Sequence, residues 1–283
     1  MPWVFVAIWS TGFVAARLGM PHAPPINLLN LRFALSTLCF AIWVYLAKAA
    51  WPSSRRQVGH LVVLGVLSQA CYLCAGWAAV KHGLGAGTMS LIAGLQPLLT
   101  ALWLNSRADA KLRGERLQVL QWAGLTLGLA GLVLVVASKL GLGEVTALNL
   151  SLGVAALLAI TAGTLYQKHF VGPCDPRSAM LVQMLAATLL TLPLTPLEPE
   201  RIIWAPELMT ALAWSVLGLT LGGSSLLYML LQRGAATKVT SLMYLIPPGA
   251  ALMAWLLFGE PVSVQVWLGM GMSALGVYWV MRR

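Results

Sequence analysis

The sequence predicts an all-α integral membrane protein: ten transmembrane helices forming two inverted five-helix repeats around a central cavity. Three observations predict it. The 283 residues are 59% hydrophobic and only 9% charged, against roughly 25% charged residues in a soluble domain, and the mean hydropathy is +0.82. Apolar runs of about 20 residues recur along the chain, each long enough to cross roughly 30 Å of hydrocarbon. The chain also echoes itself at an offset of 151 residues.

The apolar runs fall at 3–20, 28–47, 59–80, 84–104, 117–138, 147–167, 178–196, 208–230, 236–257 and 264–281. They read as helices, because strands of a membrane barrel would alternate polar and apolar residues over about ten positions. Span 1 opens with Trp9-Ser10-Thr11-Gly12-Phe13 and closes near Arg17, and span 2 carries Arg32 near its start. Span 3 holds Tyr72 and Trp77 and ends at Lys81-His82; span 4 grows out of the glycines 83, 85 and 87 and holds Ser90, Gln96 and Pro97. Span 6 contains Thr161 and Thr164 and ends at Lys168. Span 8 contains Ser224 and Tyr228, and span 9 follows Lys238 with Ser241, Tyr244 and the pair Pro247-Pro248. Spans 5 and 10 carry Gly124-x-x-x-Gly128 and Gly269-x-x-x-Ser273, spacings that let helices approach closely. These two spans are expected to be scaffold, packed within their own repeat or between protomers.

The repeat is an ordered series of matches. Gly12 and Arg17 reappear as Gly163 and Lys168, and Gly83 through Pro97 reappears as Gly234 through Pro248. At an offset of 145, Gly114-Glu115 and Trp122-x-Gly124 reappear as Gly259-Glu260 and Trp267-x-Gly269. The repeats are expected over 1–143 and 144–283. Five spans per repeat is an odd number, so the second copy enters the membrane from the opposite side. Inverted repeats of this kind place a solute site between the halves.

The net charge of +10 belongs to loops. Lys48, Arg55, Arg56, Arg107, Lys111, Arg113, Arg116, Arg177, Arg233, Arg282 and Arg283 fall after even-numbered spans or at the chain end, while the acidic residues concentrate in the alternate loops. The positive-inside rule therefore puts both termini in the cytoplasm. The basic balance points to membrane lipids and not to nucleic acid. Cys39, Cys71, Cys74 and Cys174 form no metal or disulfide framework, so neither a metal nor another cofactor is expected.

With these motifs in place, the chain resembles the drug/metabolite transporter superfamily in its ten-helix EamA-type branch. The Trp9–Phe13 opening, the glycines 83–87 leading to Pro97 and the doubled Gly-Glu endings carry the resemblance, which covers essentially the whole chain. It implies export of amino acids, drugs or other metabolites across an inner membrane, and the general likeness is to the YddG-type amino-acid exporters.

The candidate substrate-binding residues are Trp9, Phe13, Tyr72, Trp77, Ser90, Gln96, Thr164, Tyr228, Ser241 and Tyr244. Trp77 and Tyr228 are matched across the repeat, so the pseudo-symmetry sets two rings across its axis. Such a lining suits an amphipathic solute, an amino acid or related metabolite with an apolar side chain. Pro97, Pro247 and Pro248 are expected to bend spans 4 and 9, because an interior proline loses one helical hydrogen bond. Arg17, Arg32, Lys81, His82, Lys168 and Lys238 are candidate gate or headgroup contacts. For Arg32, snorkelling to the outer interface is favoured over binding a substrate carboxylate.

None of the eight acidic residues lies inside an apolar span. A proton- or sodium-coupled carrier usually keeps a carboxylate at depth, so a carrier without ion coupling is expected, with a proton-coupled exporter as the alternative. Enzyme readings fare worse: Asp109 and Asp175 are both in loops, and no HExxH or P-loop occurs. A channel would need a charge ring or a carbonyl filter. The oligomeric expectation is a monomer or a weak homodimer.

Overall fold

The computed structural model describes residues 2–106, 118–140, 144–226, 229, 245–260 and 263–281. Each predicted apolar run meets a helical segment there, and no strand occurs among the described residues. Among the described residues, seven segments are long and apolar enough to cross a membrane, and three shorter apolar ones (3–19, 246–258 and 264–280) fall in the remaining predicted spans.

Several spans are broken where their sequence weakens the helical ladder. Span 1 divides into α1 (Pro2–Ser10) and α2 (Gly12–Gly19). At the break, the Thr11 hydroxyl donates to the Ile8 carbonyl and accepts from the Trp214 indole N–H at 2.7 Å. Span 2 is α3 (Pro25–Leu46), with Pro25 in the first turn, where a missing N–H costs nothing. Span 3 runs through α4 (Arg55–Gly65), a π-helical stretch Val66–Cys71 and α5 (Tyr72–Lys81).

Span 4 breaks at Leu95 into α6 (Ala86–Gly94) and α7 (Gln96–Ser106), with Pro97 the second residue of α7. The helix thus breaks two residues before Pro97. Span 5 is α8 (Val119–Leu140), and span 6 is α9 (Ala147–Phe170), opened by a Thr146–Asn149 capping box. Span 7 is α10 (Pro176–Thr191), extended by a 3₁₀ turn at Leu192–Leu197.

Span 8 is α11 (Pro206–Ala213) followed by a second π-helical stretch, Trp214–Gly223. In span 9 the described helix is α12 (Ile246–Phe258), whose first turn contains Pro247 and Pro248. It ends at Gly259, left-handed with φ 63°, a conformation glycine adopts without the Cβ penalty. Span 10 is α13 (Val264–Met281).

Two helix pairs cross the halves in antiparallel fashion. The first is α3 with α10. Thr37 and Thr188, at the 151-residue offset, lie with hydroxyls 3.4 Å apart, and Asn30 donates to the Thr191 hydroxyl at 2.9 Å. The second is α8 with α13, which places Gly124 against Gly276 and Gly131 against Gly269. A Cβ on Gly124 would stand 2.6 Å from the Gly276 carbonyl oxygen, so the two backbones touch. This corrects the expected partner of spans 5 and 10: each packs on the other, across the halves. The small-residue spacing is used as expected, because in lipid close van der Waals packing holds helices together.

The bundle core is built on Phe33, Phe40, Trp77, Leu84, Met89 and Ile92, all essentially inaccessible. Large apolar residues such as Val133, Leu158, Leu189 and Leu257 remain exposed on the outer surface. A lipid-facing surface accounts for that exposure, since acyl chains are as apolar as leucine.

Candidate functional site

A cavity of about 760 Å³ occupies the middle of the bundle, lined by residues of both halves. Six of the ten predicted binding residues line it: Trp9, Phe13, Tyr72, Trp77, Ser90 and Gln96. Pro97 and Pro247 line it too, so the break in span 4 and the first turn of the described helix of span 9 both border the cavity. Thr164 does not reach the lining; its hydroxyl accepts from the Gln96 amide at 2.5 Å and orients that side chain. Pro248 stands beside Pro247 and is not part of the wall. Tyr228, Ser241, Tyr244 and Lys238 lie outside the described residues, and with them the Trp77/Tyr228 pairing.

The two π-helical stretches fall at matching places in the halves. Their widened turns bring Gln69 and Thr220, related by the 151-residue offset, to the cavity wall. The Thr220 hydroxyl donates five residues back, to the Ser215 carbonyl at 2.8 Å. π-bulges concentrate at functional sites, but period-based reading cannot foresee them, because one inserted residue in a ladder leaves little trace in composition.

Arg32 differs from its expectation. It does not snorkel: it is 8% exposed and points into the cavity wall. Its Nε and Nη2 donate to the Thr220 hydroxyl at 3.4 and 3.2 Å, and its guanidinium carbon lies 5.5 Å from the centre of the Trp77 ring. An available signal was missed. At the 151-residue offset Arg32 aligns with Gln183, a second polar residue inside an apolar span, and Gln183 also lines the cavity. Phe13 and Tyr72 meet edge to face, 6.2 Å between centroids, to complete an aromatic wall near this arginine.

The other cations sit at the bundle ends. Arg17 lies 3.8 Å from Glu260, whose carboxylate also accepts the Ala86 N–H at 3.2 Å, capping α6. The Gly-Glu ending of the second half thus ties spans 1 and 4 of the first half to span 9. Lys81 bonds the Met20 carbonyl at 3.1 Å and Glu200 at 2.5 Å. His82 is exposed at the end of α5, its carbonyl accepting from Asn149. Lys139 is buried and paired with Glu144 at 2.5 Å.

These contacts, with Glu198 accepting the Ile26 and Asn27 N–H groups at 3.0 Å, gather at one end of the bundle. At the opposite end Gln57 donates to the Gly172 and Pro173 carbonyls, and Lys168 is exposed in the last turn of α9. The cavity reaches this second end, where Val171, Gly172, Pro173 and Cys174 line it, while no residue of the first end's loops does so among the described residues. There Asp175 caps α10, and its hydrogen bond from the Arg177 side chain holds its carboxyl below the ordinary carboxylate range.

Comparison with known proteins agrees with this architecture. The model of the EamA-like transporter family matches the chain twice, over residues 3–137 and 148–282. A probable amino-acid metabolite efflux pump of Salmonella typhimurium is 24% identical, covering 96% of this chain and 91% of that protein. A protein of Escherichia coli K12 described in the same words is 25% identical over 85% of this chain and 70% of its own length. A probable terminal-alkyne amino-acid exporter of Streptantibioticus cattleyicolor is 25% identical over 98% and 91%. A solved crystal structure superposes with a TM-score of 0.66 at 18% identity, over 99% of this chain and 95% of that one, a likeness of fold. With both halves matched by one family model, the chain belongs to the EamA-like transporter family.

Proposed function

We propose that this membrane transporter exports small amino-acid metabolites, including aromatic or other apolar ones, by alternating access of two inverted repeats, 1–143 and 144–283. The observation that carries the reading is the central cavity, lined from both halves, tied shut at one end and reaching the other. The antiparallel crossings support the inversion: Thr37 meets its own repeat equivalent, and Gly124–Gly276 and Gly131–Gly269 are equivalent contacts under exchange of the halves. That relation is a two-fold axis perpendicular to the helices, hence in the membrane plane.

Both termini are cytoplasmic in this reading, in keeping with the loop charges. The closed end then faces outward and the cavity faces the cytoplasm, where an exporter loads its cargo. The relatives' names support an amino-acid-like cargo, and the aromatic wall supports apolar side chains. Transport follows the solute gradient without a coupling ion, in line with the lack of any carboxylate within the apolar spans.

The test is flux in liposomes containing the purified protein, with a labelled panel of amino acids and their derivatives, cationic drugs and sugars. Saturable flux of amino-acid-like solutes without an imposed pH gradient is expected. Dependence on that gradient overturns the uncoupled mechanism, and non-saturating current overturns the carrier.

A further inference from the structure

The geometry points to a carboxylate-binding subsite at Arg32, so that the cavity selects solutes by their acid group and is indifferent to their amine. This rests on the reading of the cavity as the transport site, and deepens it by naming what the cargo must carry.

Depth comes first. Arg32 is seven residues into α3, about 10 Å from the helix start at 1.5 Å per residue, and it is buried. A guanidinium in that position is costly and calls for an acceptor. Its protein partners are modest: one neutral hydroxyl, Thr220, shared by Nε and Nη2, and the face of Trp77. No carboxylate lies within ion-pair distance of it among the described residues, and all eight acidic residues of the chain fall outside the apolar spans.

Orientation comes next. Guanidinium carries five N–H donors in a planar fork suited to two carboxylate oxygens. Nη1 makes no hydrogen bond to the described protein, yet it is not among the sealed, unsatisfied polar atoms, which are Ser10, Ser36 and Thr88 hydroxyls. Arg32 itself lines the cavity. Thr220 and Trp77 hold the fork from one edge and one face, which fixes its plane and leaves the remaining N–H groups directed at whatever enters.

Charge balance then decides selectivity. Among its described lining residues the cavity wall contributes one buried positive charge and no carboxylate. A carboxylate arriving from the cytoplasm neutralises Arg32, and its apolar side chain can lie against Trp77, Phe13 and Tyr72. An ammonium group meets no counter-charge among the described lining residues, so it adds no ion pair there. The class selected is monocarboxylates with an apolar or aromatic tail: free amino acids, their N-acyl derivatives and the deaminated acids alike. Amines and amides that lack the acid are excluded.

The experiment uses the full-length protein in liposomes. Uptake of labelled phenylalanine and labelled N-acetylphenylalanine is measured, with unlabelled 3-phenylpropionate, phenylalaninamide and phenethylamine as competitors. Both labelled acids should enter saturably, 3-phenylpropionate should compete, and the amide and the amine should compete roughly 10- to 100-fold more weakly, the range expected for loss of charge-assisted hydrogen bonds. Arg32→Gln should abolish the distinction between acid and amide, and Arg32→Lys should keep a reduced one, because ammonium retains charge without the fork. If Arg32→Gln fails to fold, the wild-type competition series alone decides. Equal competition by phenylalaninamide and 3-phenylpropionate overturns the carboxylate subsite while leaving the carrier intact. No saturable uptake of either labelled acid overturns the proposed cargo itself.

Discussion

Replacing Glu260 with Gln removes one charge at the closed end of the cavity and leaves the side chain's shape intact. The carboxylate stands 3.8 Å from Arg17 and accepts the Ala86 N–H at 3.2 Å. Two unit charges at that separation attract by about 4 kcal/mol at an effective dielectric of 20. The Arg17 side chain is 39% exposed, and solvent screening reduces such a pair to about 1 kcal/mol. Glutamine still offers an oxygen to Ala86, but a neutral acceptor is weaker than a charged one by about 1 kcal/mol. The variant should therefore destabilise this end by about 2 kcal/mol. If the tie exists only while the end is closed, the whole cost falls on that state, and the open population rises roughly 20- to 30-fold.

The assay places a single cysteine at Ser90, on the cavity wall one turn below the Ala86 cap, in protein lacking its four native cysteines. A membrane-impermeant thiol reagent is applied from the closed side, and its labelling rate should rise by that factor in Glu260→Gln. Arg17→Gln should raise it less, and the double variant should add little, giving a coupling of about 1 kcal/mol. Labelling unchanged in Glu260→Gln would refute the reasoning, because the tie would then hold in every state of the protein.

Two further outcomes follow from packing and capping. Gly131→Val should lower the midpoint of thermal inactivation in detergent by the equivalent of about 1–3 kcal/mol, the usual cost of overpacking, since a Cβ there would stand 2.8 Å from the Ser273 backbone nitrogen; an unchanged midpoint would mean that α8 and α13 separate freely. Asp175→Ala should cost about 1 kcal/mol at neutral pH as a lost cap. Because Asp175 is held below its ordinary value by Arg177, its contribution is present at neutral pH and disappears as pH falls through that lowered value. The wild type should lose more stability on acidification than the variant, and identical acid limbs would contradict the capping role.

The spans were legible because hydropathy integrates over about twenty residues and is insensitive to local detail. Pro97 was legible because proline acts on its own helix, and Leu95 is where the ladder breaks. Trp9, Phe13, Tyr72 and Trp77 could be nominated from the repeat and the shared helical faces. Arg32 could not be oriented that way: snorkelling and inward burial use the same side chain and differ only in how α3 is rotated against its neighbours. That rotation is set by α10, through contacts such as Asn30 with Thr191, far away in sequence. The pairing of α8 with α13 was obscured for a related reason, since a small-residue stripe marks a face without naming its partner. The burial of Lys139 and its pairing with Glu144 were equally illegible, because burial depends on what packs over a side chain.

The measurement that bears most directly on transport through the central cavity is flux before and after that cavity is filled. Single-cysteine Ser90→Cys protein in liposomes should carry a saturable flux of labelled phenylalanine. Modifying the cysteine with a bulky thiol reagent should bring that flux to background, and reductive removal of a disulfide-linked adduct should restore it. Full flux through the modified protein would place the path elsewhere and contradict the account.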